Sequence, residues 1–137
     1  MSAKLKACVF VVDNESVIAS TLELILRKEG LDAHSFADPI AALKAAQSKS
    51  PDLLVTDVAM PQMNGVDLAM RIKQDYPNCK ILFLTASVTV LDLLAKVEAA
   101  GHDFVLVDKP VHPAILIGAI NETLEGNRSF DLANASD

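Results

Sequence analysis

Carboxylates, a hydroxyl and an ammonium recur at one kind of place in this 137-residue chain, directly after a short apolar run. Asp13-Asn14-Glu15 follows Ala7–Val12, Asp57 follows Leu53–Thr56, Thr85-Ala86-Ser87 follows Ile81–Leu84, and Asp108-Lys109-Pro110 follows Phe104–Val107. Carboxylates without Cys or His beside them suit a hard, oxygen-preferring ion such as Mg²⁺. Lys109 would offset the negative charge and can pair with a phosphoryl oxygen. The same residues exclude several other chemistries. A dinucleotide site needs G-x-G-x-x-G after the first strand, and Val12-Asp13-Asn14-Glu15 has no glycine. A P-loop needs a Gly-rich loop with Lys there, and a Ser/Thr-rich phosphate loop would not be acidic. The G-x-S-x-G of nucleophilic hydrolases is absent. The set is suited to holding a cation and receiving a phosphoryl group rather than cradling a nucleotide.

The elements that must position these residues follow from periodicity. The run Ala7–Val12 is continuous and β-rich, as a strand buried on both faces should be. Glu15–Lys28 puts Ile18, Leu22, Ile25 and Leu26 on one helical face, with Gly30 beyond as the C′ residue. A weaker strand, Leu31–Phe36, precedes Asp38-Pro39, an N-cap followed by proline at the first helical position, which opens a helix to Gln47. Leu53–Thr56 forms the third strand and Gly65–Gln74 a helix. Ile81–Leu84 is the fourth strand, Ser87–Ala100 the fourth helix, Phe104–Val107 the fifth strand and Pro113–Leu124 the last helix. Five strands, each followed by a helix and with no hairpin signal, predict an α/β fold: a doubly wound five-stranded parallel sheet covered on both faces. Ligands of such sheets bind at the carboxyl ends of the strands, beside the switch in strand order. The chemistry-bearing residues all fall on that edge.

Length and composition agree with one domain, for which roughly 100–150 residues is the commonest size. The apolar content, 51%, is too high for a disordered chain. The longest apolar run, Ala114–Ile120, is far shorter than the ~20 residues of a membrane helix. The start Met-Ser-Ala-Lys-Leu-Lys leads directly into a strand, with no secretory h-region, so a cytoplasmic location and no membrane partner are expected. A formal charge of −6, with twelve scattered Lys and Arg, disfavours direct nucleic-acid binding. Cys8 and Cys79 fall in predicted strands without metal-ligand spacing and read as reduced, buried thiols. His34, His102 and His112 read as surface or loop histidines.

The stretch Asp57-Val58-Ala59-Met60-Pro61-Gln62-Met63-Asn64-Gly65 resembles the D-x-x-M-P-x-M-x-G signature of two-component response-regulator receiver domains. Asp13 after strand one, Thr85-Ala86 after strand four and Lys109-Pro110 after strand five complete the pattern. The resemblance runs from about Lys4 to Gly126, giving a receiver over residues 1–126 and a short polar tail over 127–137. It implies the flavodoxin-like strand order 2-1-3-4-5. By resemblance, Asp57 is the phosphoacceptor, charged by a sensor histidine kinase or a phosphotransfer protein. Asp13, Asn14, Asp57 and the backbone carbonyl of Ala59 would hold Mg²⁺. Thr85 supplies the hydroxyl and Lys109 the ammonium that meet the phosphoryl group. Ala86 leaves access to the acceptor, and Pro110 matches a cis peptide that aims Lys109 inward. The domain would be an acceptor without turnover of a separate substrate, and so not an enzyme. Its output would pass to another protein, or to a second copy, through the surface formed by the fourth helix, fifth strand and fifth helix.

Two positions depart from the family pattern. The usual acid pair is Asp13-Asn14 here; in an alternative register Val12-Asp13 takes its place. The first is favoured because Ile18 then falls at the family's apolar position in helix one. Leu106 stands where a switching Tyr or Phe is usual, and Phe104 lies two residues earlier on the same strand face. These departures also allow a degenerate receiver that binds partners without phosphorylation. The apolar excess of Ser87–Ala100 fits either a deeply buried helix or a docking surface. An aspartate-nucleophile phosphatase is disfavoured, since Ala59 breaks its D-x-D motif.

Overall fold

The computed structural model describes residues 6–85, 91–109 and 112–125, and for residues 91–93 the backbone alone. Strands β1 (Cys8–Val12), β2 (Asp32–Phe36), β3 (Leu53–Asp57), β4 (Lys80–Thr85) and β5 (Val105–Asp108) alternate with helices α1 (Ser16–Lys28), α2 (Pro39–Ser48), α3 (Gly65–Asp75), α4 (Leu91–Ala99) and α5 (Pro113–Glu125). The sheet is parallel, in the order β2-β1-β3-β4-β5, as expected. The chain reverses direction across the sheet between β1 and β3, so the crevice at the carboxyl ends of those two strands is the switch point.

Alternation along the strands divides the core in two. On one face Phe10, Val12, Leu54 and Phe83 meet Ala42 and Ala46 of α2, Leu68 and Ile72 of α3, and Leu94 and Val97 of α4. On the other, Val9, Val11, Val55, Leu82 and Leu84 meet Leu22 and Leu26 of α1 and Leu116 and Ile120 of α5. Each fully buried large side chain contributes about 1.5–3 kcal/mol relative to exposure. β1 is buried at all five positions, which explains its unbroken apolar run, whereas the edge strand β2 is mostly half-buried.

Local signals set the element ends. Asp38 Oδ1 accepts the Ile40 N–H at 2.9 Å, with Pro39 at the first helical position of α2. α1 ends in a Schellman turn: the Leu31 N–H reaches the Leu26 carbonyl at 3.1 Å and the Gly30 N–H that of Arg27 at 3.0 Å, with Gly30 at φ +87°. The open edge of β2 is covered from α1. Glu23 Oε1 accepts the Ser35 N–H at 2.7 Å and Arg27 Nε donates to the Ala33 carbonyl at 2.9 Å. Backbone groups that could recruit a foreign strand are thereby satisfied.

Three expectations shift. Cys79 lies one residue before β4 rather than in it, and Phe104 one residue before β5, because the pairing of β5 begins at Val105 opposite Leu82. His34 is not a loop residue: it sits in β2, half-buried, with Nε2 3.0 Å from Asp32 Oδ1. Both thiols are buried and free, as expected. Burial, followed by the charge of Asp32, pushes the Cys8 pKa up to about 11, and burial pushes that of Cys79 up to about 12. Among the described residues, no helix is long and apolar enough to cross a membrane. Of the fourth helix, Ser87–Val90 lies outside the described residues; Leu94 and Val97 are buried against the core.

Candidate functional site

Parallel pairing brings the ends of β1, β3, β4 and β5 to one edge. Val12 is level with Thr56, Asp57 with Leu84, and Thr85 with Asp108. Asp13, Asp57, Thr85 and Lys109 therefore gather there from four strands. The backbone stitches them together: Asp13 N–H donates to the Phe36 carbonyl at 3.1 Å, Val58 N–H to Leu84 at 3.2 Å, and Lys109 N–H to Thr85 at 2.8 Å.

The side chains form a charge cluster. Asp13 is fully buried, and its Oδ1 accepts the Glu15 N–H at 2.9 Å. Its Oδ2 accepts from Lys109 Nζ at 2.8 Å, and the same ammonium lies 3.3 Å from Asp57 Oδ2. Burial raises the Asp57 pKa, Lys109 pulls it back, and the Asp13 charge raises it further. For Lys109, burial works against the charge, but hydrogen bonding and attraction from Asp13, then Asp57, outweigh it and leave the pKa above the ordinary lysine value. Thr85 is buried at the end of β4. Asn14 and Ala59 are exposed beside the cluster. The donors of Asp13, Asp57, Asn14 and the Ala59 carbonyl are all oxygen, the chemistry a hard dication prefers. A positive charge, the Lys109 ammonium, already lies within 3.3 Å of both carboxylates. That arrangement fits a Mg²⁺ site made from these residues.

The segment after Asp57 is explained residue by residue. Val58 is fully buried, Met60 nearly so, and Met63 packs on the same core, so they hold the loop down onto the sheet. Asn64 caps α3, its Oδ1 accepting the Asp67 N–H at 2.8 Å while its Nδ2 donates to Asp67 Oδ2 at 3.1 Å. Gly65 is required by crowding: a Cβ there would stand 2.0 Å from the Asp57 carbonyl oxygen. Its N–H donates to the Val58 carbonyl at 2.7 Å, closing the loop. In the sequence Met60, Met63 and Asn64 stand out only as parts of a signature, and Gly65 as its end and the start of a helix. Their spacing holds Asp57 in place by packing and capping.

Not every expected residue joins the cluster. Phe104 and Leu106 share the core face under α3 and α4, both half-buried. Phe104 packs edge-on to buried Phe83, ring centroids 5.5 Å apart, four residues short of the level of Thr85. Leu106, level with Phe83, lies closer to the site. Ala86 and Pro110 lie outside the described residues.

The chain is similar to known proteins along most of its length. The family described as response regulator receiver domain matches residues 9–121. A probable transcriptional regulatory protein, TcrX of Mycobacterium tuberculosis, is 34% identical over 108 residues, covering 79% of this chain and 46% of the relative. The DNA-binding response regulator MtrA of Mycolicibacterium paratuberculosis is 31% identical, covering 87% and 52%. The chain thus spans about half the length of the curated relatives it matches. Among solved structures, a CheY-like receiver domain protein of Methanospirillum hungatei superposes with a TM-score of 0.81 at 25% identity, covering 88% of this chain and 95% of that one. The chemotaxis protein CheY4 of Vibrio cholerae gives 0.78 at 26% identity, covering 87% and 99%. With its matching profile, strand order and acidic sheet edge, the chain belongs to the response-regulator receiver family of two-component systems.

Proposed function

We propose that Asp57 accepts a phosphoryl group from a phosphohistidine of a sensor kinase or phosphotransfer protein, and that this charge changes the contacts the domain makes. The observation that carries this is the approach of Lys109 Nζ to Asp57 Oδ2, 3.3 Å, at a sheet edge where buried Asp13 adds a second carboxylate. An Asp57 carboxylate oxygen attacks phosphorus, the P–N bond to the donor imidazole breaks, and its electron pair stays on that nitrogen. The product is an acyl phosphate, labile to water and so reversible. Lys109, held charged by Asp13, binds a phosphoryl oxygen, and the Thr85 hydroxyl donates to another. Asp13, Asp57, Asn14 and the Ala59 carbonyl would hold Mg²⁺, which reduces repulsion between carboxylate and incoming anion when bound.

On this proposal the domain is modified once per event and turns over no separate substrate. It acts in the cytoplasm, where its donor is. The added charge draws Lys109 and Thr85 toward position 57 and shifts an existing equilibrium at α4, β5 and α5, the surface offered to a target protein or a second copy. Incubation with acetyl phosphate and Mg²⁺ should add one phosphoryl mass to the wild type and none to Asp57→Asn. Equal labelling of both, or of neither, rejects the assignment.

Two observations favour a second function, a phosphorylation-independent interaction module. Asn14 brings no charge to the metal ligands, and Leu106 has no polar ring tip to move between buried and exposed positions. Beryllofluoride with Mg²⁺ separates the two. Shifted amide resonances in α4 and β5 support the phosphoacceptor; an unchanged spectrum supports the module.

A further inference from the structure

The end of the sheet opposite Asp57 carries a second cluster with different chemistry. Parallel register sets Cys8 level with Asp32 and Phe10 level with His34. With side chains alternating along each strand, Cys8, Asp32 and His34 all project to the face covered by α2. Their donor atoms, a thiol sulfur, a carboxylate oxygen and an imidazole nitrogen, all lie within 4.8 Å of one another. Sequence spacing could not suggest this, because the three residues come together through the pairing of β1 with β2.

Three further observations point to a ligand. His34 Nε2 is shut off from solvent and stands 3.0 Å from Asp32 Oδ1, so imidazole nitrogen and carboxylate oxygen face each other in the cluster. Lys49, the residue capping the C-terminus of α2, hydrogen-bonds the other oxygen, Asp32 Oδ2, so Oδ1 is the one turned to His34. Finally, Cys8 and Asp32 line an open cleft of about 750 Å³ with Lys6, Lys49, Asp52 and Lys80, which leaves room for exchange and for a fourth ligand.

We propose that Cys8 Sγ, Asp32 Oδ1 and His34 Nε2 form a binding site for a borderline transition-metal dication such as Zn²⁺ or Co²⁺, with water or a small anion as fourth ligand. Two N and O ligands about 2.0–2.1 Å from a tetrahedral ion stand about 3.3 Å apart. The 3.0 Å between Asp32 Oδ1 and His34 Nε2 is close to that edge. The sulfur needs a separation of about 3.6 Å from the nitrogen; it lies no more than 4.8 Å away, so a movement of about 1.2 Å suffices. Thiolate and imidazole select against Mg²⁺, so this site and the oxygen-lined one at Asp57 would take different ions. Binding expels the Cys8 thiol proton to solvent, and His34 coordinates through Nε2 with its proton on Nδ1. The lysines lining the cleft suit an anion in the fourth position.

Titration of the full 137-residue chain with Co²⁺, under a non-chelating reductant and with excess Mg²⁺, tests the site. The wild type should show a thiolate-to-cobalt band in the near ultraviolet that saturates at one equivalent, is displaced by Zn²⁺ and persists in Cys79→Ser. Cys8→Ser should abolish the band, and His34→Gln and Asp32→Asn should weaken binding while leaving the circular-dichroism spectrum native. No band in the wild type overturns the proposal. So does a band that survives in Cys8→Ser or is lost in Cys79→Ser, or unchanged affinity in His34→Gln.

Discussion

Lys109 is bound more closely to Asp13 than to Asp57: its Nζ stands 2.8 Å from the first carboxylate and 3.3 Å from the second. Asp13 is fully buried, whereas the Asp57 side chain is 13% exposed. The ammonium therefore has a structural role, compensating a carboxylate that water cannot reach, alongside its role toward position 57. Movement of Lys109 toward a phosphorylated Asp57 would draw it from Asp13, leaving that carboxylate to a metal ion.

Lys109→Met should consequently destabilise the fold and not only impair phosphorylation. Removing one partner of a buried pair leaves an uncompensated charge, which costs about 3 kcal/mol. Urea denaturation should show a lower midpoint at unchanged slope, and Asp13→Asn added to Lys109→Met should recover most of the loss. If the single variant is as stable as the wild type, the structural role of the pair is refuted.

Asp57 should oppose folding at neutral pH. Burial, only partly countered by Lys109, raises its pKa in the folded state above the ordinary carboxylate value. The folded chain then binds this proton more tightly than the unfolded chain. The contribution from this group is present below the unfolded value, about 3.9, and is lost as pH rises through the raised folded one. Asp57→Asn should be more stable than the wild type near neutral pH by on the order of 1 kcal/mol, or about 3–5 °C in Tm. Thermal melts along a pH series should show the two curves converging on the acid side of that window. A constant gap across the series would mean that charge is not the cause.

Two glycines should respond in opposite directions to alanine. At Gly65 the new methyl would lie 2.0 Å from the Asp57 backbone oxygen, so the loop or the end of β3 must move. A loss of about 2 kcal/mol or more follows, together with slower phosphoryl acceptance if Asp57 is the acceptor as proposed. At Gly118, within α5, the methyl meets nothing within 4 Å. There the better helix propensity of alanine should add about 1 kcal/mol. Denaturation midpoints of the two variants, measured side by side, check both signs.

Most of the fold was legible because it is written in short-range patterns. Unbroken apolar runs at Cys8–Val12 and Leu53–Val55 mark strands covered on both faces, and the Asp38-Pro39 cap and the Gly30 turn mark helix ends. Less could be read at β5. Its start depends on where Val105 meets Leu82, a contact between segments distant in the chain. The placement of Phe104 against Phe83, short of the level of Thr85, follows from the same register.

The candidate site divides along similar lines. The sequence by itself determined that Asp13, Asp57, Thr85 and Lys109 would share the carboxyl edge, since in a parallel sheet every strand ends on that side. Tertiary structure alone decided that Lys109 would lean toward Asp13, that Gly65 would press on the Asp57 carbonyl, and that Cys8, Asp32 and His34 would meet at the opposite end. Strand identity is a local property of the chain, carried by the period of its apolar residues. Which side chains touch is set by register, burial and the desolvation of charge, and these exist only once distant segments have packed together.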